Sequence, residues 1–373
     1  MTPIDPSADV QTANIPTLNL GDLRGDGAAR ERARAAISEA FGTFGLIYIS
    51  GHGVDMDDVH RLYDEFLRFT AQEAVAKERM SSGDIWYQRG WTPPNTEKAV
   101  IAGGQPDFKE CYFAAPVETD PECEIQYPEI YAENRWPEGF DEFARLYLDV
   151  GKQVHGVGEQ LLEGCAVALG LDHDAFASRI QGGPHVFRLL RYLPLNQAQV
   201  DQGILWGEEH TDFNLVTLLP GGRFHDPSGE RCPRPDQGSG LYLRTRPSAE
   251  HPDGMLIKGT PPAGCLVAQV GQQLEILSGG RFLATPHVIT APRTPGYSRC
   301  SAAHFVHLHS YQILKPLDEC ASEEAIRAYA PPVLAGTYSI KTLVDIGLAP
   351  QEALTKLGYR HYGRLARIRE RQS

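Results

Sequence analysis

The second half of the chain is a series of short runs of β-branched and apolar residues, which limits the folds open to it. From about residue 184 onward, clusters of Gly, Pro, Asp and Ser separate these runs. Short strands divided by such turns are typical of an all-β sandwich or barrel. The runs cover residues 186–193, 213–219, 240–244, 265–270, 287–290 and 299–308. We therefore expect a β-barrel in this part of the chain.

The first half has helical periodicity instead. Residues 28–44 and 57–72 have the composition and apolar spacing of helices, and the β-branched run at 45–50 is typical of a strand. Apolar residues recur at threes and fours over 141–170, so we expect a long helix there that lies along the outside of the barrel. A last helical region begins near Ser322.

These patterns predict a mainly β fold with flanking helices, divided into three parts. Residues 1–183 would form an N-terminal α/β region that packs on the barrel, residues 184–315 the barrel core, and residues 316–373 a C-terminal helical region.

Composition excludes several classes of partner. The chain has 373 residues and a formal net charge of −13, which argues against a nucleic-acid partner because polyphosphate binding needs a concentrated positive surface. No apolar run approaches the roughly 18–20 residues that span a bilayer, and the polar start has no secretory signal pattern. The seven cysteines are odd in number and never spaced C-x-x-C. We expect a cytoplasmic protein, a monomer or weak homo-oligomer, that acts on a small molecule and contacts no membrane.

The tripeptide His210-Thr211-Asp212 is the first candidate for a metal site. It precedes an apolar run at 213–219, so the sequence predicts that it opens a strand. Residues i and i+2 of a strand point to the same face, so His210 and Asp212 can bind one metal ion. A third ligand must come from another strand, and His287 is well placed at the head of the run 287–290. Two imidazoles and one carboxylate form the facial triad that suits Fe(II).

The H-x-D pattern alone is weak, because His251-Pro252-Asp253 matches it too. That second match lies among Pro, Asp and Gly, which favours a loop. A polar strand start without any metal is the alternative for His210 and Asp212. The strand predicted after His287 favours the metal site. Its alternation puts Arg299 and Ser301 on one otherwise apolar face, where a buried guanidinium needs a partner anion. The partner is either a bound carboxylate or an Asp or Glu of the protein.

Several motifs in order resemble one known family. They are Leu190-Arg191-Tyr192-Leu193-Pro194, Glu209-His210-Thr211-Asp212, Gly240-Leu241-Tyr242-Leu243, the run Val270-Gly271-Gln272-Gln273-Leu274-Glu275-Ile276-Leu277-Ser278-Gly279-Gly280-Arg281, Pro286-His287-Val288-Ile289 and Arg299-Cys300-Ser301. In the first half, Ile15-Pro16 and the stretch from Phe44 to Val54 match as well. Over roughly residues 14–310 the chain resembles the isopenicillin-N-synthase-like branch of the 2-oxoglutarate/Fe(II)-dependent oxygenases.

The resemblance implies a double-stranded β-helix (jelly roll) with flanking helices. It implies that His210, Asp212 and His287 bind Fe(II) as the catalytic metal, and that Arg299 and Ser301, with Tyr192 as a helper, hold the distal carboxylate of 2-oxoglutarate. The enzyme would then use O₂ to oxidise a small molecule, most simply by hydroxylation, and release succinate and CO₂. Residues 103–110 resemble a segment of bacterial members, including the ethylene-forming enzymes.

Three other functions stay open: an oxidase of the same fold that uses no 2-oxoglutarate, an ethylene-forming enzyme, and a non-catalytic metal-binding barrel. The sequence departs from the family at Gln272, where an Asp is usual, and in a slightly longer interval between His287 and Arg299. The connections 221–239 and 245–262 are long for hairpins of an all-β domain. We expect the first to be a lid that covers the bound substrate.

Overall fold

The computed structural model of the chain describes residues 10–11, 13–96, 108–247, 251–252 and 254–357. Its strands are β1 (Val10–Gln11), β2 (Thr17–Asn19), β3 (Leu46–Ser50), β4 (Gly90–Thr92), β5 (Lys109–Ala114), β6 (Val186–Tyr192), β7 (Gly207–His210), β8 (Val216–Leu219), β9 (Gly222–His225), β10 (Arg231–Cys232), β11 (Gly240–Arg244), β12 (Leu256–Lys258), β13 (Leu266–Val270), β14 (His287–Thr290), β15 (Ser298–Val306), β16 (Ile313–Leu314) and β17 (Val333–Leu334). Its α-helices are α1 (Gly27–Glu39), α2 (Met56–Thr70), α3 (Ala74–Glu78), α4 (Pro121–Glu124), α5 (Asp141–Leu169), α6 (Ala177–Ile180), α7 (Gln197–Asp201), α8 (Gln272–Leu277), α9 (Glu323–Ala328), α10 (Ala335–Asp345) and α11 (Glu352–Leu357).

Two sheets form the core. The larger has the strand order β2-β3-β13-β8-β15-β6-β5-β4, with β9 pairing with β15 and β10 pairing with β9. The smaller has the order β1-β12-β11-β14-β7, and β7, β14, β11 and β12 are antiparallel. Buried side chains from both sheets share one apolar cluster, in which Leu46, Tyr48 and Val267 meet Leu243 and Ile257. The predicted jelly roll with flanking helices is confirmed.

Strands from the first half of the chain widen the larger sheet at both ends. β3 pairs with β13, and β5 pairs with β6. Strands from before and after residue 184 therefore pair within the larger sheet, and the division at 183 stays a prediction.

Helix α5 packs along the outer face of the larger sheet, as the sequence predicts. Its buried face, including Val150, Val154 and Leu161, lies in the same core cluster as Leu218 and Val306. Gly158 allows the close approach, because a Cβ there would lie 2.9 Å from Cγ2 of Val306. None of the described helices is long and apolar enough to cross a bilayer.

Helix α10 belongs to a separate apolar cluster, in which Ile340 and Leu343 pack with Trp86, Tyr127 and Tyr131. Its first turn is tied to the segment after β15, because the backbone N–H groups of Ala335 and Gly336 donate to the carbonyls of Gln312 and Ser310. The C-terminal helical region is thus attached to the barrel beside the end of β15.

One predicted strand is wrong in its extent. The run 213–219 forms a strand only from Val216, and His210 ends β7 instead of opening the next strand. Local side-chain bonds explain the difference: Asn214 Nδ2 donates to the Val216 carbonyl at 2.7 Å, and Thr217 Oγ1 donates to Asp212 Oδ2 at 2.6 Å. Such bonds compete with strand pairing and turn the chain.

Candidate active site

The H-x-D segment lies where the chain passes from one sheet to the other. His210 is the last residue of β7 in the smaller sheet, and Val216 begins β8 in the larger sheet. Asp212 lies in the link between them and is buried. Its carboxylate still reaches His210, since Asp212 Oδ1 lies 3.7 Å from His210 Nε2.

His287 completes the cluster from the neighbouring strand. It begins β14 and is the register partner of His210 across the β7–β14 pair, with ring centroids 4.3 Å apart. One donor atom each from His210, Asp212 and His287 lie within 4.8 Å of one another. Two ligands that each contact one ion at about 2.1 Å are about 3–4 Å apart, so this cluster fits a single metal ion with small side-chain shifts.

The ligands are oriented by hydrogen bonds to neighbouring groups. His210 Nδ1 lies 2.7 Å from the Glu208 carbonyl oxygen, which can only accept, so Nδ1 is the donor in this bond and Nε2 is the nitrogen that faces Asp212. Burial, and next the nearby His210, lower the pKa of His287 to about 4, so its ring is neutral near pH 7. Two imidazoles and one carboxylate are the donor set that suits Fe(II).

The other three predicted residues line a cavity of about 300 Å³ that also contains the three ligands. Arg299 and Ser301 reach it from β15 and Tyr192 from β6, and Arg299 is the register partner of Tyr192. The Arg299 guanidinium carbon lies 5.5 Å from the centre of the Tyr192 ring. In the part of the chain that the structure describes, no carboxylate forms an ion pair with Arg299. A free guanidinium facing a cavity fits a carboxylate ligand.

A second cavity, of about 560 Å³, meets the first at His210 and Asp212. Its walls are largely apolar and include Phe113, Phe213 and Phe305. Helix α10 and the residues after it supply much of the remaining wall: Tyr338, Lys341, Thr342, Leu343, Asp345, Ile346 and Leu348. Two of the three candidate ligands, His210 and Asp212, therefore line both the smaller cavity and the larger, more apolar one.

The predicted lid at 221–239 does not lie over the larger cavity. Residues 222–225 form β9, which pairs with β15, and β10 pairs with β9 in turn. Gly221, Gly222, Phe224 and Arg234 line the smaller cavity instead. A strand bonded to β15 is part of the sheet, so residues 222–225 do not form a lid, and the covering of the substrate by the rest of the connection stays a prediction. The second long connection, 245–262, includes residues outside those described.

Gln272, which stands where the family usually has Asp, links the H-x-D segment to α10. Its backbone N–H donates to the Asp212 carbonyl at 2.8 Å, and its side-chain Nε2 donates to Thr211 Oγ1 at 2.6 Å. The Tyr338 hydroxyl donates to Gln272 Oε1. An amide can donate and accept at once, whereas a carboxylate can only accept.

Sequence reasoning missed two cations, Lys109 and Arg188, which line both cavities. The period of strand β6 carried a signal for Arg188, because residues 188 and 190 share one face with Tyr192. No comparable signal existed for α10, since its place over the larger cavity depends on tertiary packing.

Other candidates for a metal site fit less well. Among the described residues, two groups of side chains could hold a metal ion, and His251 is in neither. Asp253 of the second H-x-D lies outside the described residues. Asp120, Cys123 and His309 do form such a group. However, Asp120 already caps α4 by accepting from the backbone N–H of Glu122, and it accepts from His309 Nε2 at 2.9 Å.

Comparison with known families agrees with this site. Residues 15–139 match the N-terminal domain described as "non-haem dioxygenase in morphine synthesis", and residues 185–308 match the "2OG-Fe(II) oxygenase superfamily". Together the two matches cover about two thirds of the chain. All six predicted site residues lie in the second match.

Individual relatives belong to the same group. A leucoanthocyanidin dioxygenase from Oryza sativa subsp. japonica is 25% identical over 296 residues, which cover 75% of this chain and 68% of the relative. A homoarginine-6-hydroxylase from Arabidopsis thaliana is 26% identical over 290 residues, which cover 74% of this chain and 76% of the relative.

Solved structures share the fold. A full-length protein from Neurospora crassa, crystallised in complex with alpha-ketoglutarate (2-oxoglutarate), superposes with a TM-score of 0.71 at 22% identity and covers 91% of this chain and 98% of that one. A rice dioxygenase for auxin oxidation superposes with a TM-score of 0.62 at 21% identity and covers 92% and 99%. The chain belongs to the 2-oxoglutarate/Fe(II)-dependent oxygenase superfamily and is a dioxygenase that uses iron and 2-oxoglutarate.

Proposed function

We propose that this protein hydroxylates a small molecule at an iron ion held by His210, Asp212 and His287. In this reaction 2-oxoglutarate, O₂ and a substrate C–H group give succinate, CO₂ and an alcohol. One oxygen atom enters succinate and the other enters the substrate, so no further reductant is needed. The observation that carries the proposal is that the three residues cluster in the smaller cavity, while His210 and Asp212 also line the larger, more apolar one.

Each cavity has a role in this proposal. Arg299 and Ser301, with Tyr192 beside them, bind the distal carboxylate of 2-oxoglutarate in the smaller cavity, so that its keto-acid end points towards the metal ligands. Iron bound there supplies O₂ activation coupled to decarboxylation of the 2-oxoglutarate. The substrate enters the larger cavity, whose apolar walls and α10 exclude water from the reacting carbon.

The names of the relatives support an oxidation of this kind, since they include a hydroxylase and a dioxygenase. The oxidase that uses no 2-oxoglutarate fits less well, because it leaves the Arg299 guanidinium without a ligand. The similarity to ethylene-forming enzymes stays a prediction, and most of the segment that suggests it, 103–107, lies outside the described residues. Four other expectations likewise stay proposals: the cytoplasmic location, the absence of nucleic-acid and membrane partners, the oligomeric state and the three-part division.

A substrate screen tests the proposal. The iron-loaded protein is incubated with 2-oxoglutarate, O₂ and a panel of small molecules, and succinate is measured beside the mass of each product. We expect slow succinate formation without substrate, and a large stimulation by a molecule that gains one oxygen atom. Product formation without succinate would instead identify the oxidase. Ethylene in the headspace would identify the third alternative.

A further inference from the structure

Arg299 is not the only arginine at the smaller cavity, which Arg188 and Arg234 also line. Arg299 comes from β15, and Arg234 comes from the connection 221–239. The Arg234 guanidinium itself lies at this cavity, as two contacts show. Its Nη1 donates to Thr260 Oγ1 at 3.2 Å, and a Cβ on Gly240 would lie 3.7 Å from its Cζ. Thr260 and Gly240 both line the same cavity.

The two cations are close enough to interact. Burial, and next the charge of Arg299, lower the pKa of Arg234. Another cation, Lys258, lies near Arg234, and burial and then Arg234 lower its pKa as well. Like charges at one site repel each other, which destabilises the site unless an anion lies between them.

One carboxylate, that of Asp236, lies near enough for its charge to oppose the lowering of the Arg234 pKa, but burial and Arg299 lower this pKa more. Neither Arg234 nor Arg299 forms an ion pair with a described carboxylate. Asp236 is the nearest acidic residue along the chain, but its two oxygens accept other bonds. Oδ1 accepts from the Ser239 backbone N–H at 2.7 Å and Oδ2 from the Arg293 backbone N–H at 2.8 Å. Asp236 thus shapes the connection and leaves Arg234 directed at the cavity.

We propose that Arg234 is a second anchor for the distal carboxylate of 2-oxoglutarate, beside Arg299 and Ser301. The inference rests on the proposed function, because it needs 2-oxoglutarate to occupy the smaller cavity. A carboxylate has two oxygens and about four lone-pair positions, so it can accept from two guanidinium groups at once. The connection 221–239 is then a co-substrate-binding element.

Anaerobic calorimetry of the Fe(II)-loaded protein tests this inference with two ligands. One is 2-oxoglutarate, and the other is 2-oxopentanoate, in which a methyl group replaces the distal carboxylate. The variants are Arg234→Gln and, as a matched control, Arg231→Gln. Arg231 lies on the same connection, but it contacts His60 and does not line the cavity.

We expect Arg234→Gln to weaken 2-oxoglutarate binding on the order of ten- to a hundredfold, as befits a lost hydrogen bond to a charged group. Binding of 2-oxopentanoate should be unchanged by this substitution, and Arg231→Gln should leave both affinities unchanged. A merely structural role for Arg234 would weaken both ligands equally and would overturn the inference, as would unaltered 2-oxoglutarate binding. If the wild-type protein does not bind 2-oxoglutarate at all, the proposed function fails instead.

Discussion

Gly222 of β9 lies directly against the Arg299 side chain of β15. A Cβ on Gly222 would lie 2.4 Å from both Nε and Nη2 of Arg299, closer than any real contact allows. The absence of a side chain at 222 therefore sets where the guanidinium lies in the smaller cavity.

Gly222→Ala should displace this guanidinium and weaken 2-oxoglutarate binding about tenfold or more, while iron binding is retained. Calorimetry with the Fe(II)-loaded variant measures both. Gly156→Ala is the control, because a Cβ at this position of α5 meets nothing within 4 Å. Equal 2-oxoglutarate affinity in the Gly222 variant and the wild type would mean that Arg299 is not the anchor.

Arg299→Lys keeps the positive charge but loses the planar pair of donors. We expect 2-oxoglutarate to bind less tightly by about 1–3 kcal/mol, with iron affinity nearly unchanged. Arg223→Lys is the matched control: Arg223 is a buried arginine of the adjacent strand, but it bonds to Asp64 and to the His60 carbonyl, away from the cavity. A loss of the same size in the control would point to a general effect on the sheet.

The bond from Tyr338 to Gln272 should stabilise α10 over the larger cavity. Tyr338→Phe removes this bond and lowers the free energy of local opening of α10 by about 1 kcal/mol. Amide exchange in residues 335–345 should therefore accelerate about fivefold. Hydrogen–deuterium exchange with mass spectrometry measures this. Tyr329→Phe is the control, because the Tyr329 hydroxyl donates to Glu275, which belongs to α8 as Gln272 does, and this bond does not involve α10. Unchanged exchange in the Tyr338 variant would show that the bond does not hold the helix.

Three buried histidines should make stability depend on pH. His155, His185 and His304 pack together, and His155 Nδ1 lies 3.0 Å from His304 Nε2. Burial lowers the pKa of His155 to about 4 and lowers the pKa values of His185 and His304 far below the ordinary value. The fold therefore keeps the rings neutral, while the unfolded chain takes up protons below about pH 6.5.

Because the unfolded chain binds more protons, acid destabilises the fold. The free energy of unfolding is highest above about pH 6.5 and falls as the pH drops from there towards about 4. Each histidine changes the free energy of unfolding by up to about 1.4 kcal/mol per pH unit. Urea unfolding at about pH 7.5 and about pH 5.5, on either side of the ordinary histidine pKa, measures the effect. His155→Gln should reduce the slope, whereas His173→Gln, at an exposed position, should not. Equal stability at the two pH values would show that these rings are protonated in the fold.

Much of the fold could be predicted from the sequence, because its signals are local. The period of α5 and the runs of β11, β14 and β15 were each predicted to within a few residues. The error at 213–219 arose because Asp212, Asn214 and Thr217 form side-chain bonds that no hydrophobic pattern reveals.

The candidate site was predictable largely from strand periods, although Asp212, predicted to lie in a strand with His210, is in the link between β7 and β8. His210, His287, Arg299, Ser301 and Tyr192 lie on strands whose period fixes the direction of their side chains. Arg234 and Tyr338 were not predictable, because a connection and a C-terminal helix bring them to the cavities through tertiary packing.

The central claim is that His210, Asp212 and His287 hold the iron, and anaerobic Fe(II) titration of ligand variants tests it most directly. We predict one Fe(II) per wild-type chain, and loss of that ion in His210→Ala, Asp212→Ala and His287→Ala, because each removes one of three ligands. His251→Ala and His309→Ala should still bind one ion. Loss of iron in either of these controls, with retention in His210→Ala, would contradict the account and move the metal to another site.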